Sequence, residues 1–339
     1  MTERTDDTPT VLITGAAGNI GRALSLVLKE DYLVVGLDQT DEGAECDTIV
    51  ADLTDPSSVS SALDDFRERY GNEIASVVHL AAYFDFTGED HPLYRKLNVD
   101  GTRLLLEELQ QFDVQQFVYS GTMLVHEPCE PGERIDETSP IAPKWAYPES
   151  KAAAEEAIKA SHGDIPFVLL HLAGLYDDTS GVPTLTHQIA RIFERDLKSR
   201  LYAGDTMAGQ SMIHRDDMMD LFKRTVDARE RLPKDVTILG GEPEAVAYSA
   251  LQNQIGRLIH GEREWETLAL PRSVARVGSW IETQAEPLIP DDFDKGEKPF
   301  IRPFMIDMSA DHYALDITRA RELLDWRPEH DIRDSLPNI

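Results

Sequence analysis

Through its first half the sequence alternates short β-branched runs with longer stretches of helical periodicity, and few architectures accept that rhythm. Strands are expected at Thr10–Thr14, Tyr32–Asp38, Thr48–Val50, Ser76–Leu80, Gln116–Ser120 and Phe167–His171. Helices are expected between them, near Asn19–Glu30, Pro56–Tyr70, Pro92–Gln111 and Tyr147–Ser161. Parallel strands need long crossovers, usually helical, so the pattern implies an α/β fold, a doubly wound parallel sheet with helices on both faces. The crossovers should be right-handed. After Gly174 the rhythm breaks. Helices are expected near Val182–Arg200, Asp216–Glu230, Ser249–His260, Pro271–Thr283 and Asp316–Leu324, with a loop at Gly204–Gln210. A strand at Val236–Leu239 should return to the main sheet. The expected organisation is a first domain over 1–175 with a return segment at about 210–240, and a smaller interleaved C-terminal lobe from 176–209 and 241–339.

Charge narrows the partners. The 339 residues carry 33 Lys and Arg against 62 Asp and Glu, a formal charge of −29. Such a surface repels phosphate backbones and anionic membranes, so neither nucleic acid nor a membrane is expected as partner. No apolar run approaches the ~18 residues of a membrane span. Met1 to Pro9 is polar and acidic, unlike a secretory leader. Cys46 and Cys129 belong to no metal-binding spacing and make no disulfide framework. The expectation is a cytoplasmic protein with reduced thiols, no metal site and a small-molecule substrate.

Thr14-Gly15-Ala16-Ala17-Gly18-Asn19-Ile20-Gly21 lies between the first strand and the first helix. Glycines there permit a tight turn and close backbone approach to a pyrophosphate, and a helix amino end offers N–H groups to the anion. The second strand ends in Asp38, 17 residues beyond Gly21. A carboxylate at that place accepts from ribose hydroxyls and repels a 2′-phosphate, which favours NAD over NADP. Asp52 and Leu53 end the third strand, where an acid can accept from the adenine amino group. His79-Leu80-Ala81-Ala82 ends the fourth with small residues that let a cofactor pass close. These strand ends line the crevice where doubly wound sheets bind ligands.

Tyr147 and Lys151 stand at i and i+4, on one helical face. A phenol with a reference pKa of ~10 is a poor base at neutral pH unless positive charge favours its ionised form. Lys151 and an oxidised nicotinamide both supply such charge. A Tyr–Lys pair alone is ordinary surface decoration. This one follows Ser120-Gly121-Thr122 at the end of the fifth strand, where a hydroxyl can hold a substrate oxygen.

With these motifs in view, the sequence resembles the extended short-chain dehydrogenase/reductases, in particular the NAD-dependent epimerase/dehydratase family. Asn98-Val99-Asp100-Gly101-Thr102 and the closing segment Asp316 to Pro328 extend the likeness over nearly the whole chain. The resemblance implies a Rossmann-type sheet and a catalytic set of Thr122, Tyr147 and Lys151. In it Tyr147 is the general base and Lys151 also holds the nicotinamide ribose. Ser120 would line the cofactor site and Asn98 would lie beside it. It further implies an NAD-dependent oxidoreductase or isomerase acting on a sugar or sugar nucleotide, with transient oxidation as in an epimerase. A homodimer paired through the helices near Pro92–Gln111 and Tyr147–Ser161 is also implied, with Leu104, Leu105 and Ala153 as candidate contacts. The chain ends shortly after Ser335-Leu336-Pro337, where relatives often continue into a final helix, as expected of a shortened chain.

Three departures qualify the likeness. Met123-Leu124 stands where hexose dehydratases carry Asp-Glu, so 4,6-dehydration is not expected. Gln210 stands where sugar-nucleotide enzymes place an Arg against the diphosphate, and a neutral amide makes no bidentate ion pair. Arg215, Arg191 and Arg302 are the cations that could compensate. His171 replaces an Arg common after the sixth strand, and His126 a frequent Tyr; both read as core residues. Asp85, Phe86, Gln210 and Arg302 are candidate substrate contacts, with Tyr94 nearby. The departures at Gln210 and His171 leave an alternative open, a net NAD-dependent dehydrogenase or reductase of a non-nucleotide alcohol or ketone.

Overall fold

The computed structural model describes residues 8–85, 88–181, 183–194, 200–261, 264–265, 267–270, 306 and 308–339. Its first half contains β1 (Thr10–Thr14), α1 (Asn19–Leu28), β2 (Leu33–Asp38), β3 (Asp47–Val50), α2 (Pro56–Tyr70) and β4 (Ser76–His79). The helix α3 follows, wound as a π-helix over Tyr94–Gly101 and as an α-helix over Thr102–Leu109. Then come β5 (Phe117–Thr122), α4 (Ala146–Ser161) and β6 (Phe167–Leu172). The second half adds α5 (Pro183–Glu194), α6 (Arg215–Asp227), β7 (Val236–Gly240), α7 (Tyr248–His260), α8 (Thr318–Leu324) and α9 (Ile332–Ser335).

The seven strands form one parallel sheet in the order β7-β6-β5-β4-β1-β2-β3. The chain runs outward from β1 to β3 and then returns to place β4 on the other side of β1. Such a reversal is the place where doubly wound sheets bind ligands, in a crevice outside the strand carboxyl ends.

Period-two alternation divides the core between the two sheet faces. Val11 and Ile13 of β1 join Leu24 and Leu28 of α1, Leu221 and Phe222 of α6, and Trp326. Leu12 faces the other way, with Phe66 of α2, Leu105 and Leu109 of α3, and Ile158 of α4. A third cluster gathers Tyr176, Leu185, Ile192, Leu251, Ile255, Trp265 and Ile332 from the second half. Asp55 caps α2, its side chain accepting from Ser57 N at 2.9 Å, and Pro56 fills the first helical position, where no N–H is needed.

Several local expectations change. Asp316 lies outside α8, because its carboxylate accepts from Thr318 N and Thr318 Oγ1 and turns the chain before the helix begins. The expected loop at Gly204–Gln210 ends as a short strand, Gly209–Gln210, antiparallel to Val246–Ala247. Leu105 is fully buried in the core rather than offered to a partner, whereas Leu104 and Ala153 are half-buried. The helix expected at Pro271–Thr283 lies outside the described residues. No helix among the described residues is long and apolar enough to cross a membrane.

The closing segment is anchored by Trp326, which is 1% exposed and donates from Nε1 to Asp217 O at 3.1 Å. Trp326→Ala should cost about 3–5 kcal/mol, from lost burial, a cavity and an orphaned carbonyl. Urea unfolding of the full chain measures it, and a loss below about 1 kcal/mol would show that the segment is peripheral to the core.

Candidate active site

The chain leaves β1 through Gly15, whose φ of +75° is open to glycine at no steric cost. Packing leaves no room for a side chain either: a Cβ on Gly15 would lie 2.8 Å from Ala81 N, and one on Gly21 2.1 Å from Gly15 O. Gly18 is the N-cap of α1 and brings no side chain to the helix end, so the amides of Asn19, Ile20 and Gly21 front the crevice uncapped. Asp38 Oδ2 accepts from Ala17 N at 3.0 Å and ties the loop to the end of β2. Its Oδ1 has no partner among the described residues. An uncapped helix end, a backbone cradle and a free carboxylate oxygen fit the pyrophosphate and ribose of a dinucleotide.

Asp52 is partly engaged. Its Oδ1 accepts from Thr54 N and Thr54 Oγ1, both at 2.8 Å, and these bonds hold the carboxyl below its usual pKa. Leu53 is buried beside it. Beneath the crevice, buried His79 bridges Thr14 Oγ1 at 2.6 Å and Thr102 Oγ1 at 2.8 Å. Thr102 donates to Asn98 O, so His79 must donate from Nε2 and accept at Nδ1. That neutral tautomer agrees with a pKa pushed down to about 3 by burial and the nearby Lys151 charge. Leu80, Ala81 and Ala82 follow along the crevice floor and are half-buried.

Asn98 stands behind this floor. Its Oδ1 accepts from Tyr83 N at 2.7 Å, and Nδ2 donates to Tyr83 O at 3.0 Å and Ser150 Oγ at 2.9 Å. The amide is thereby taken up by the protein's own chain, and Asn98 acts by holding the loop after β4 against α4.

Of the three residues expected to carry the chemistry, Tyr147 and Lys151 lie together on α4, and Lys151 reaches the end of β5, the strand that Thr122 closes. Thr122 ends β5, and its Oγ1 accepts from Leu124 N at 3.3 Å. Tyr147 and Lys151 occupy the first turns of α4. Lys151 Nζ donates to Ser120 O at 2.8 Å, and lies 4.8 Å from the Tyr119 ring centroid and 5.9 Å from that of Tyr147. Burial draws the ammonium down to about 8, against the opposing charge of Glu155. The half-buried Tyr147 phenol is pushed above its usual value, by desolvation first and Tyr94 second. In the protein alone it is a weak acid, and ionising it requires further positive charge beside it.

Of the candidate substrate contacts, Asp85 is half-buried. Its backbone N–H donates to Tyr94 Oη at 3.2 Å, and its carboxylate accepts from Tyr83 Oη at 3.5 Å. Gln210 bridges to Tyr313 and pairs with Val246, away from the triad's own contacts. Phe86 and Arg302 lie outside the described residues. Arg215 is engaged by Asp177 at 3.0 Å. Sequence reasoning missed Phe84, half exposed, whose ring meets Tyr147 edge-on at 4.7 Å and 74°. Only loop geometry separates it from its aromatic neighbour Tyr83. His214, Asp216 and His330 approach one another closely enough to hold an ion. The two imidazoles stack at 3.9 Å and 18°, so their nitrogens lie in near-parallel planes rather than converging on one point.

The profile of the NAD dependent epimerase/dehydratase family matches residues 11–240. A sterol-4-alpha-carboxylate 3-dehydrogenase of Saccharomyces cerevisiae is 24% identical over 84% of this chain and 79% of its own. A putative UDP-glucose 4-epimerase of Methanocaldococcus jannaschii is 28% identical over 50% of this chain and 56% of its own. Among solved structures, the UDP-glucose 4-epimerase of Thermus thermophilus, crystallised with NAD, superposes with a TM-score of 0.68 at 20% identity, covering 97% of each chain. That likeness establishes the shared fold. The matched segment runs from β1 past Thr122, Tyr147 and Lys151 to β7, so the chain belongs to the NAD dependent epimerase/dehydratase family, with NAD as its cofactor.

Proposed function

We propose that the protein oxidises a secondary hydroxyl of a sugar or sugar nucleotide, with Tyr147 as general base, and acts as an epimerase-type oxidoreductase. The observation that carries this reading is the placement of Lys151, buried with Nζ on Ser120 O and 5.9 Å from the Tyr147 ring. A lysine held there is a fixed positive charge beside the phenol. Gly15, Gly18, Asn19, Ile20, Gly21, Asp38, Asp52, Leu53, Leu80, Ala81, Ala82 and Ser120 line the path assigned to NAD, and Lys151 is assigned its nicotinamide ribose. When bound, NAD supplies the hydride acceptor and the positive charge of its oxidised ring. Tyr147 then takes the hydroxyl proton, Thr122 Oγ1 holds the same oxygen, and Lys151 favours the phenolate. A carbonyl formed in this way can be reduced again from its other face, which is epimerisation. Residues 1–175 with 210–240 would form the cofactor domain, and 176–209 with 241–339 the substrate lobe.

Support for a sugar-nucleotide substrate comes from relatives and fold neighbours named as UDP-glucose 4-epimerases. Dehydration is disfavoured, because Met123 is packed in the core directly after Thr122 and offers no acid. A second reading, net oxidation or reduction of a non-nucleotide alcohol or ketone, is favoured by Gln210 and by Arg215. The first is neutral and the second already neutralised by Asp177. A homodimer through the outer faces of α3 and α4, near Leu104 and Ala153, belongs to the same proposal, and sedimentation of the full chain tests it.

Tyr147→Phe should reduce turnover by about 10²–10⁴-fold while leaving NAD binding intact. Turnover at the original rate would exclude the phenol as base. Separating the two substrate readings needs only absorbance at the reduced-nicotinamide band. Epimerisation of UDP-hexoses leaves it flat while product forms, whereas a net dehydrogenase shows one reduced cofactor per turnover. Asp38→Ser should weaken discrimination against NADP by at least about tenfold, equivalent to ~1.4 kcal/mol. An unchanged NAD-to-NADP ratio of Kd values would remove Asp38 from the ribose site.

A further inference from the structure

The two histidines that depart from the family pattern stand in direct contact. His126 Nε2 and His171 Nδ1 are 2.8 Å apart, and His126 Nδ1 is 3.0 Å from Ser139 O. On the far side His171 Nε2 approaches Glu155 Oε1 to 3.0 Å. All three residues are at most 3% exposed. The last contact has the length of an ion pair without hydrogen-bond alignment, and neither atom has a hydrogen-bond partner among the described residues. Gly121 makes room for the meeting, since a Cβ there would stand 3.1 Å from His171 Cδ2 and 3.3 Å from Glu155 Oε1.

Donor counting fixes the protons. A carbonyl oxygen only accepts, so His126 Nδ1 carries a hydrogen. One hydrogen lies between the two rings. A further hydrogen is assigned to His171 at the Glu155 contact, as one side of an ion pair, because a bare imidazole lone pair facing a carboxylate in a dry interior would be repelled by it. The array thus holds one proton more than two neutral imidazoles and a carboxylate, and it is neutral overall. Burial, with His171 beside it, pushes His126 down to about 4, so the His126 ring itself is neutral.

Glu155 lies one helical turn beyond Lys151, and its negative charge favours the ammonium. Lys151 also faces the rings of Tyr119 and Tyr147 and the carbonyl of Ser120, with its charge reaching His79. Glu155 faces His171 and acts on Tyr119, and His126 feels Asp136 and Glu155. An arginine at 171 would be a permanent cation in this array, whereas a histidine can be discharged.

We propose that His171, oriented by His126, is a positioning residue that keeps Glu155 anionic as the counter-ion of Lys151 and thereby sets the pH at which that lysine loses its charge. Its kinetic consequence rests on the oxidoreductase reading above; the proton arrangement does not. The test is NMR titration of the full-length protein with NAD bound, following Lys151 through its labelled side-chain carbon and both histidines through their ring nitrogens. His126 should stay neutral with hydrogen on Nδ1, and His171 should carry hydrogen on both ring nitrogens. Glu155→Gln and His171→Leu should each lower the Lys151 midpoint by about one pH unit, a tenfold change in acidity, while His171→Arg leaves it in place. The alkaline limb of kcat should shift in parallel. An unmoved lysine midpoint in Glu155→Gln or His171→Leu would overturn the proposal. So would a His171 ring that carries hydrogen on only one nitrogen in the unaltered protein, a measurement that stands even if the variants do not fold. Absence of turnover on every hydroxyl substrate, with the lysine midpoint shifting as expected, would instead count against the oxidoreductase reading alone.

Discussion

The structure turns on one hydrogen bond, from Lys151 Nζ to the backbone carbonyl of Ser120. It joins the first turns of α4 to the carboxyl end of β5, and it keeps a cation inside the protein at 3% exposure. A buried ammonium is costly unless its hydrogens find acceptors. The carbonyl of Ser120, the face of the Tyr119 ring and the carboxylate of Glu155 together make the position tolerable. Because strand and helix are both fixed in the core, the lysine has little freedom to retreat to solvent. The rest of the site is arranged around that immobility.

Most of the sheet was legible from the residues, and the reason is physical. Strands buried on both faces must be continuously apolar, so runs such as Val11-Leu12-Ile13 and Val168-Leu169-Leu170 admit few other readings. The glycine-rich turn and the i, i+4 spacing of Tyr147 and Lys151 were equally plain, since both depend on local geometry. What stayed hidden depends on contacts between distant segments. The π-winding of Tyr94–Gly101 leaves no mark in apolar periodicity. His126 and His171 are 45 residues apart and each alone reads as a core histidine, so neither announces the other. Phe84 reaches Tyr147 only because of the path its loop takes.

The two halves of the chain differ in how their polar groups are held. In the first, the polar residues beneath the crevice form a closed set, Thr14, His79, Thr102 and Asn98, each satisfied by the next. In the second, isolated carboxylates do the tying. Glu242 is buried and receives Tyr176 Oη at 2.8 Å and Ile332 N at 3.2 Å, and Asp311 receives Lys144 Nζ at 2.6 Å. Burial raises the Glu242 carboxyl to about 7, so α9 is fastened by a group that changes charge near neutrality. For a chain of net charge −29, using its few interior acids as fasteners keeps some of that charge out of mutual repulsion.

The amide of Asn98 has a mechanical consequence. It grips the backbone of Tyr83 on one side and Ser150 on the other, and Ser150 Oγ in turn donates to the carbonyl of Tyr147 at 2.7 Å. The rim that carries Phe84 and the peptide unit that carries the phenol are therefore links of one short chain. A guest that presses the rim out of place strains the seat of the Tyr147 phenol as well. Poorly fitting molecules would then be rejected by misalignment of Tyr147 as much as by lost contacts.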